Sequence, residues 1–195
     1  MPNSAWFAKE RQKSIDWARE LLADDIVILD FETTGFGDAE IVQIGAINGQ
    51  GEILMDTLVK PQGRIPAGAA KVHGITDSMV KDAPTFPELY VPFSILLAGK
   101  RVVAYNAKFE EGIMTAVCKR HRLPPMRPRE LTCAMIAYAR YYGTWHEKRR
   151  SFKWQSLSNA CFQQQVPVVN AHSAVADCMM TLKLIKKMTA PPELG

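Results

Sequence analysis

A chain of 195 residues, 47% hydrophobic and 23% charged, has the size and composition of one soluble globular domain with a sizeable core. No apolar run approaches about 18 residues, and Lys9, Glu10, Arg11 and Lys13 break the N-terminal stretch, so neither a membrane span nor an export leader is expected, and the cytoplasm is the expected location. A formal charge of +4 fits a polyanionic partner without requiring one. The four cysteines, at 118, 133, 161 and 178, form no C-x-x-C pair, so they read as reduced core thiols and no structural zinc site is expected.

Residues 4–23 read as a helix, with Ile15, Ala18 and Leu22 at helical spacing and Trp6, Phe7 and Trp17 adding apolar bulk. Such a helix packs on the back of a domain or serves a partner; residues 1–23 are taken as an extension, 24–190 as the domain and 191–195 as a tail. The β-branched and aliphatic run Ile26-Val27-Ile28-Leu29 predicts a buried strand ending in Asp30-Phe31-Glu32 and stopped by Thr33-Thr34-Gly35. Strand side chains alternate faces, so Asp30 and Glu32 point the same way. Two carboxylates that close repel unless one is protonated or a cation lies between them, and hard oxygen ligands suit Mg²⁺ or Mn²⁺. They are half of a metal site or solvated acids at a strand end, and further ligands must decide.

Strands at 40–47 and 52–59, joined by Asn48-Gly49-Gln50-Gly51, continue an antiparallel meander. Gly35-Phe36-Gly37 lacks the third glycine of a dinucleotide-binding turn and no βαβ unit follows, which excludes that fold. After a loop at 61–66, His73 before Gly74 is a turn or core residue satisfied locally, or a wall of a substrate groove. Thr85-x-x-Glu88 is a capping-box signature for a helix toward Gly99. A fourth strand at 101–105 turns through Asn106 into a helix, which puts Glu110 in its first turn, where a negative charge also suits the helix dipole. A short extended piece at 131–132 precedes a helix to Tyr142. Residues 145–154, with Lys148, Arg149, Arg150 and Lys153 among Trp145, Phe152 and Trp154, read as a basic aromatic loop. That composition suits phosphates and stacked bases, and equally a solvated surface. A helix at 156–164 leads to His172 and a last helix reaching about Met188, apolar on most sides. On that helix Asp177 falls where a buried residue is expected, and a buried carboxylate needs a cation, a donor or an opening to water.

Asp30-x-Glu32, Asn106-x-x-Phe109-Glu110 and His172-x-Ala174-x-x-Asp177 together resemble, in order and in strand, helix and helix context, the three motifs of the DEDDh family of 3′-to-5′ exonucleases. The family includes the bacterial proofreading exonuclease subunit, ribonuclease T and oligoribonuclease. The segment Val72-His73-Gly74-Ile75-Thr76 also resembles one common in the proofreading branch. The resemblance implies an α/β ribonuclease-H-like fold: a mixed five-stranded sheet, its first three strands antiparallel, with helices on both faces. It implies hydrolysis of phosphodiesters from the 3′ end to nucleoside 5′-monophosphates, with two Mg²⁺ or Mn²⁺ ions held by Asp30, Glu32, Asp177 and Glu110, and His172 as general base. Substrate contacts are expected at Thr33, Thr34, His73, Asn106, Lys148, Arg149 and Arg150. The expected partner is nucleic acid, foremost a single-stranded 3′ end, with a polymerase or a second copy of the chain as further candidates. One position departs from the pattern: Glu110 stands where the family has Asp, one methylene shorter. The alternative is therefore a nuclease-like module with weakened turnover that binds nucleic acid or protein.

Overall fold

The structure is a computed structural model and describes residues 3–192, so the last three positions of the expected tail lie outside the described residues. In chain order the elements are α1 (Ser4–Leu22), β1 (Ile26–Thr33), β2 (Ile41–Asn48), β3 (Ile53–Leu58), α2 (Ala67–His73), α3 (Asp77–Val80), α4 (Phe86–Leu97), β4 (Arg101–Ala104), α5 (Ala107–Arg120), β5 (Glu130–Cys133), α6 (Ala134–Tyr142), β6 (Trp145–His146), β7 (Ser151–Phe152), α7 (Leu157–Gln163) and α8 (Ala174–Lys187). The main sheet has the order β3-β2-β1-β4-β5: β1, β2 and β3 pair antiparallel, and β4 and β5 run parallel to β1. This is the mixed five-stranded sheet, its first three strands antiparallel, that the resemblance implies.

Alternation along β1 divides the interior in two. Val27, Leu29 and Phe31 pack with Phe93 and Leu97 of α4 and Ile113 and Val117 of α5. Ile26 and Ile28 face the other way, into a cluster with Ile15, Ala18 and Leu21 of α1, Tyr138 of α6 and Leu184 and Ile185 of α8. Asp30 and Glu32 continue the second face, so the pleat that buries Ile28 also aims both acids at the layer that contains α8.

Local chemistry fixes the helix ends. Asn3 accepts from the Trp6 N–H at 2.9 Å, and the predicted capping box forms, with the Thr85 N–H donating to Glu88 at 2.7 Å. One expectation is corrected. Residues 145–154 are not a loop: β6 and β7 pair antiparallel, with Trp145 opposite Phe152. Residues 67–80, to which the sequence pattern assigns no element, contain α2 and α3, of seven and four residues, too short to show an apolar period.

Candidate active site

Asp30, Glu32 and Asp177 each place one carboxylate oxygen within 4.8 Å of the other two. Their meeting depends on how closely α8 can approach β1 and β2. In the strand register Asp30 lies opposite Gly45 and Glu32 opposite Gln43. A Cβ on Gly45 would sit 2.4 Å from the Ala174 carbonyl carbon, so glycine there is what lets the first turn of α8 lie on the sheet. The Cys178 thiol, 3.4 Å from the carbonyls of both Ile28 and Gly45, pins the next turn. Ser173 does not cap α8 with its side chain; instead Gln43 reaches from β2 and accepts from the Ala174 N–H at 3.2 Å. The Gln43 amide donates to Asp56 at 2.9 Å, which fixes its orientation.

His172 is exposed, at a left-handed φ of 68° that a non-glycine residue adopts only under constraint. Part of that constraint is its own N–H, which donates to Asp177 Oδ1 at 3.2 Å, so the predicted base and the predicted ligand are tied together. Glu110 arrives from α5, on the opposite face of the sheet. It is only 4% exposed, and its Oε2 is buried without a hydrogen-bond partner. Glu110 is outside the trio but its charge acts on Asp30. Its neighbour Glu111 is exposed.

These acids lie together with little to hold their charge. Burial, and then the charges of Glu110, Asp177 and Glu32, push the Asp30 carboxyl well above the usual range. Burial and then Asp177 raise Glu32 to about 7. Glu110 is raised by burial and by Glu32, against the Phe31 backbone N–H, which favours its ionised form. Asp177 is raised by burial and held back by the His172 N–H and the His172 charge. No lysine or arginine is among the groups that set these values. An all-oxygen donor set, an orphaned buried carboxylate oxygen and mutual repulsion without a lysine or arginine to offset it fit a hard divalent ion of the Mg²⁺ or Mn²⁺ type.

The remaining predicted residues divide. His73 Nδ1 accepts from the Ile75 N–H at 3.0 Å, which leaves Nε2 to carry the proton and donate to the Thr33 carbonyl at 3.2 Å. Burial lowers its pKa, and the ring braces the end of β1. The Thr34 N–H is taken by the Glu40 carbonyl at 2.8 Å and the Thr33 hydroxyl donates to the Gly35 carbonyl at 2.8 Å, so the two threonines close the loop after β1, and the Thr34 amide is not free for a sugar. Asn106 is exposed at the start of α5 and does not cap it. Lys148, Arg149 and Arg150 are exposed in the turn between β6 and β7 and, among the described residues, none is paired with the acids.

Sequence reasoning missed Gln43 and Gly45, whose roles exist only once the register is known. It also missed Phe36, 90% exposed, its ring edge-on to Phe109 at 5.9 Å; an aromatic between two glycines was the available signal. Arg120 holds that loop through Asp38, at 2.8 Å.

The profile of the RNase_T family, described as exonuclease, matches residues 27–185. The uncharacterized exonuclease CP81 of Escherichia phage 186 is 39% identical over 175 residues, 86% of this chain and 90% of the phage protein. DNA polymerase III subunit epsilon of Treponema pallidum is 29% identical over 166 residues, 83% of this chain and 74% of that subunit. Among solved structures, exonuclease X in complex with 5′-overhanging duplex DNA superposes with a TM-score of 0.63 at 27% identity, covering 84% of this chain and 90% of that one. Fold and acidic site together define a nuclease-type α/β domain. The chain belongs to the exonuclease family, and its fold is shared with the nuclease domain of 3′hExo, a DEDDh family member, which superposes with a TM-score of 0.61 at 18% identity, covering 84% of this chain and 90% of that one.

Proposed function

We propose that the chain is a divalent-metal-dependent 3′-to-5′ exonuclease that hydrolyses the terminal phosphodiester of a polynucleotide and releases nucleoside 5′-monophosphates. The observation that carries this reading is the meeting of Asp30, Glu32 and Asp177 within 4.8 Å, with no lysine or arginine among the groups that set their pKa values. Asp30, Glu32, Asp177 and Glu110 would hold two Mg²⁺ or Mn²⁺ ions. Bound there, such ions supply an acidified water and neutralise charge building on the phosphoryl and leaving oxygens.

The protein's own groups do the rest. His172 accepts the proton of the attacking water; it is exposed to solvent, as a base that must exchange protons should be, and its backbone is held against Asp177. Phe36 offers an exposed ring to a terminal base, and Asn106 a polar side chain at the rim. His73 and Thr33 act as walls, since their mutual hydrogen bond already occupies them. The exposed cations Lys148, Arg149 and Arg150 contact substrate phosphates.

The duplex DNA bound to exonuclease X supports a nucleic-acid substrate, presented here as a single-stranded 3′ end, and the likeness to an epsilon subunit supports a polymerase as partner. A second copy of the chain is the other candidate partner. No helix among the described residues is long and apolar enough to cross a membrane, and the free thiols of Cys118, Cys133, Cys161 and Cys178 support a cytoplasmic location. Glu110 in place of the family's Asp favours, as the second reading, a module that binds nucleic acid with weakened turnover. One gel decides between them. With 3′- and 5′-labelled DNA and RNA oligonucleotides, the enzyme gives laddering from the 3′ end in Mg²⁺ or Mn²⁺ and none in EDTA. A shift in mobility without laddering in any metal establishes the binding module.

A further inference from the structure

The hairpin of β6 and β7 is two residues deep on each side, and an isolated hairpin of that size is not stable in water. What holds it is α1, which lies outside the matched span of 27–185. Trp6 stacks on Phe152 with centroids 5.4 Å apart and planes within 5°, and meets Trp145 edge-on at 5.4 Å. Phe7 meets Trp145 at 6.0 Å and Phe152 at 5.9 Å, also edge-on. The first two turns of α1 therefore complete a four-ring box around the cross-strand pair Trp145 and Phe152. At the hairpin's exit the Tyr105 hydroxyl donates to the Gln155 carbonyl at 3.0 Å. Tyr105 follows directly on β4, which is parallel to β1, so this tie fixes the hairpin's base to the end of the sheet where Asp30 and Glu32 lie.

What the box holds up is a cationic turn. Lys148, Arg149 and Arg150 occupy three of its four positions, and Arg150 adopts φ 49°, where glycine or asparagine would be cheaper. No carboxylate pairs with Lys148, Arg149, Arg150 or Lys153 among the described residues. Beside the turn a cleft of about 530 Å³ is lined by His146, Arg149, Ser151, Phe152, Lys153 and Trp154, and Trp154 is 64% exposed. Cations beside an exposed indole meet two needs of a nucleotide unit at once, a phosphate and a base with a π-face. An acidic polypeptide would satisfy the cations and leave the indole without a stacking partner.

We propose that α1 and the hairpin form a nucleic-acid-binding arm, in which the cleft takes a nucleotide unit of the substrate strand, phosphate on Arg149 and Lys153 and base on Trp154, and the N-terminal helix is the strut that keeps the arm beside the acidic site. The proposal rests on the nucleic-acid reading above and not on turnover. Binding of a fluorescent oligonucleotide is therefore measured by anisotropy in EDTA, where hydrolysis stops, with poly-glutamate as competitor. Trp154→Ala, at an exposed position that the fold does not depend on, should weaken binding roughly tenfold. Trp6→Ala with Phe7→Ala should weaken it as well and open the 148–150 turn to trypsin. A trypsin-sensitive double variant with parental affinity would overturn the strut, and parental affinity in Trp154→Ala would overturn the cleft. Displacement of the oligonucleotide by poly-glutamate at equal charge concentration would assign the arm to an acidic protein instead. Tight, Trp154-dependent binding by a protein that never cleaves would leave the arm standing and remove the exonuclease.

Discussion

The carboxyl end of β1 and the β6–β7 hairpin are electrostatic opposites. At the first, four carboxylates gather with no lysine or arginine near enough to set their pKa values, and burial raises all four. At the second, four cations stand without a paired acid among the described residues, three of them in an exposed turn. Each is incomplete alone, and they are incomplete in complementary ways: one lacks basic side chains of the lysine and arginine type, the other anions. The metal-bound phosphodiester of the proposed reaction would supply both. The difference also shows in construction. The acid end is held by the sheet, by the close approach of Gly45 and Ala174 and by buried hydrogen bonds, as a site that must keep ligand geometry requires. The hairpin is held by one aromatic box, enough to place a strand but not a reacting atom.

The comparison breaks most directly at its acidic end. If the proposed site is right, Asp30→Ala or Asp177→Ala should lower turnover by about 10³-fold or more, because metal catalysis lowers a barrier by several kcal/mol and each would remove a proposed ligand. EDTA should abolish turnover in the parent. The measurement is nucleotide release per enzyme, beside circular dichroism to show an intact fold. Undiminished release by Asp30→Ala places the site elsewhere.

Next in size is Glu110, whose buried Oε2 has no hydrogen-bond partner among the described residues, which is the ground for proposing it as a ligand. Glu110→Ala should cost on the order of 10²-fold in turnover, the scale of losing one preorganised charge-stabilising group. Glu111→Ala should be mild, since Glu111 lies about 100° further round the helix and is exposed. Glu110→Asp reports the set of α5: activity kept means that the backbone stands close enough for the shorter acid, and activity lost means that the extra methylene is needed. Equal turnover in Glu110→Ala and the parent would reduce Glu110 to an N-terminal helix acid.

How much of this the sequence disclosed follows from the range of the interactions. Asp30 and Glu32 were legible because strand alternation is local, and Asp177 because it is the one acid on a helix that is apolar on most sides; Glu110 entered through its motif. The hairpin was not legible, since strands of two residues have no alternation to read, and the rings that stabilise it, Trp6 and Phe7, lie at the other end of the chain. Gln43 was invisible for another reason. One glutamine in an apolar strand reads as a solvated break until the register puts it opposite Glu32 and under the first N–H of α8. Gln43→Leu should cost roughly 10- to 100-fold in metal affinity, the range for partners that orient a ligand rather than bind the ion. Titration with Mn²⁺ in the absence of substrate, with hydrogen exchange of the Ala174 amide as the structural readout, separates loss of orientation from loss of fold. Parental Mn²⁺ affinity together with a deprotected Ala174 amide would make Gln43 a helix cap and nothing more.

The smallest effect sharpens the comparison from the side of stability. In the metal-free protein Glu32 is raised to about 7 and Glu110 to about 8, both chiefly by burial. In the unfolded chain glutamate ionises near about 4.3. Between those values the folded protein binds more protons than the unfolded one, so stability falls as pH rises from about 5 to about 8, opposite in sign to an ion-paired carboxylate. A divalent ion binds the ionised carboxylates of the folded state, so its stabilisation grows with pH over the same window. In EDTA, then, Tm should decline from about pH 5 to about pH 8, by ~2–4 °C for each kcal/mol lost in a domain of this size. Mg²⁺ or Mn²⁺ should flatten the decline, with the largest metal-induced shift at the alkaline end. Charge-neutral Glu32→Gln should show a shallower decline in EDTA, because it removes one of the groups that must ionise. Lys148→Ala with Arg149→Ala, which touches none of the four acids, should leave both profiles parallel to the parent's. If the Tm profiles in EDTA and in Mn²⁺ ran parallel, the four acids would not be holding the ion, however close together they lie.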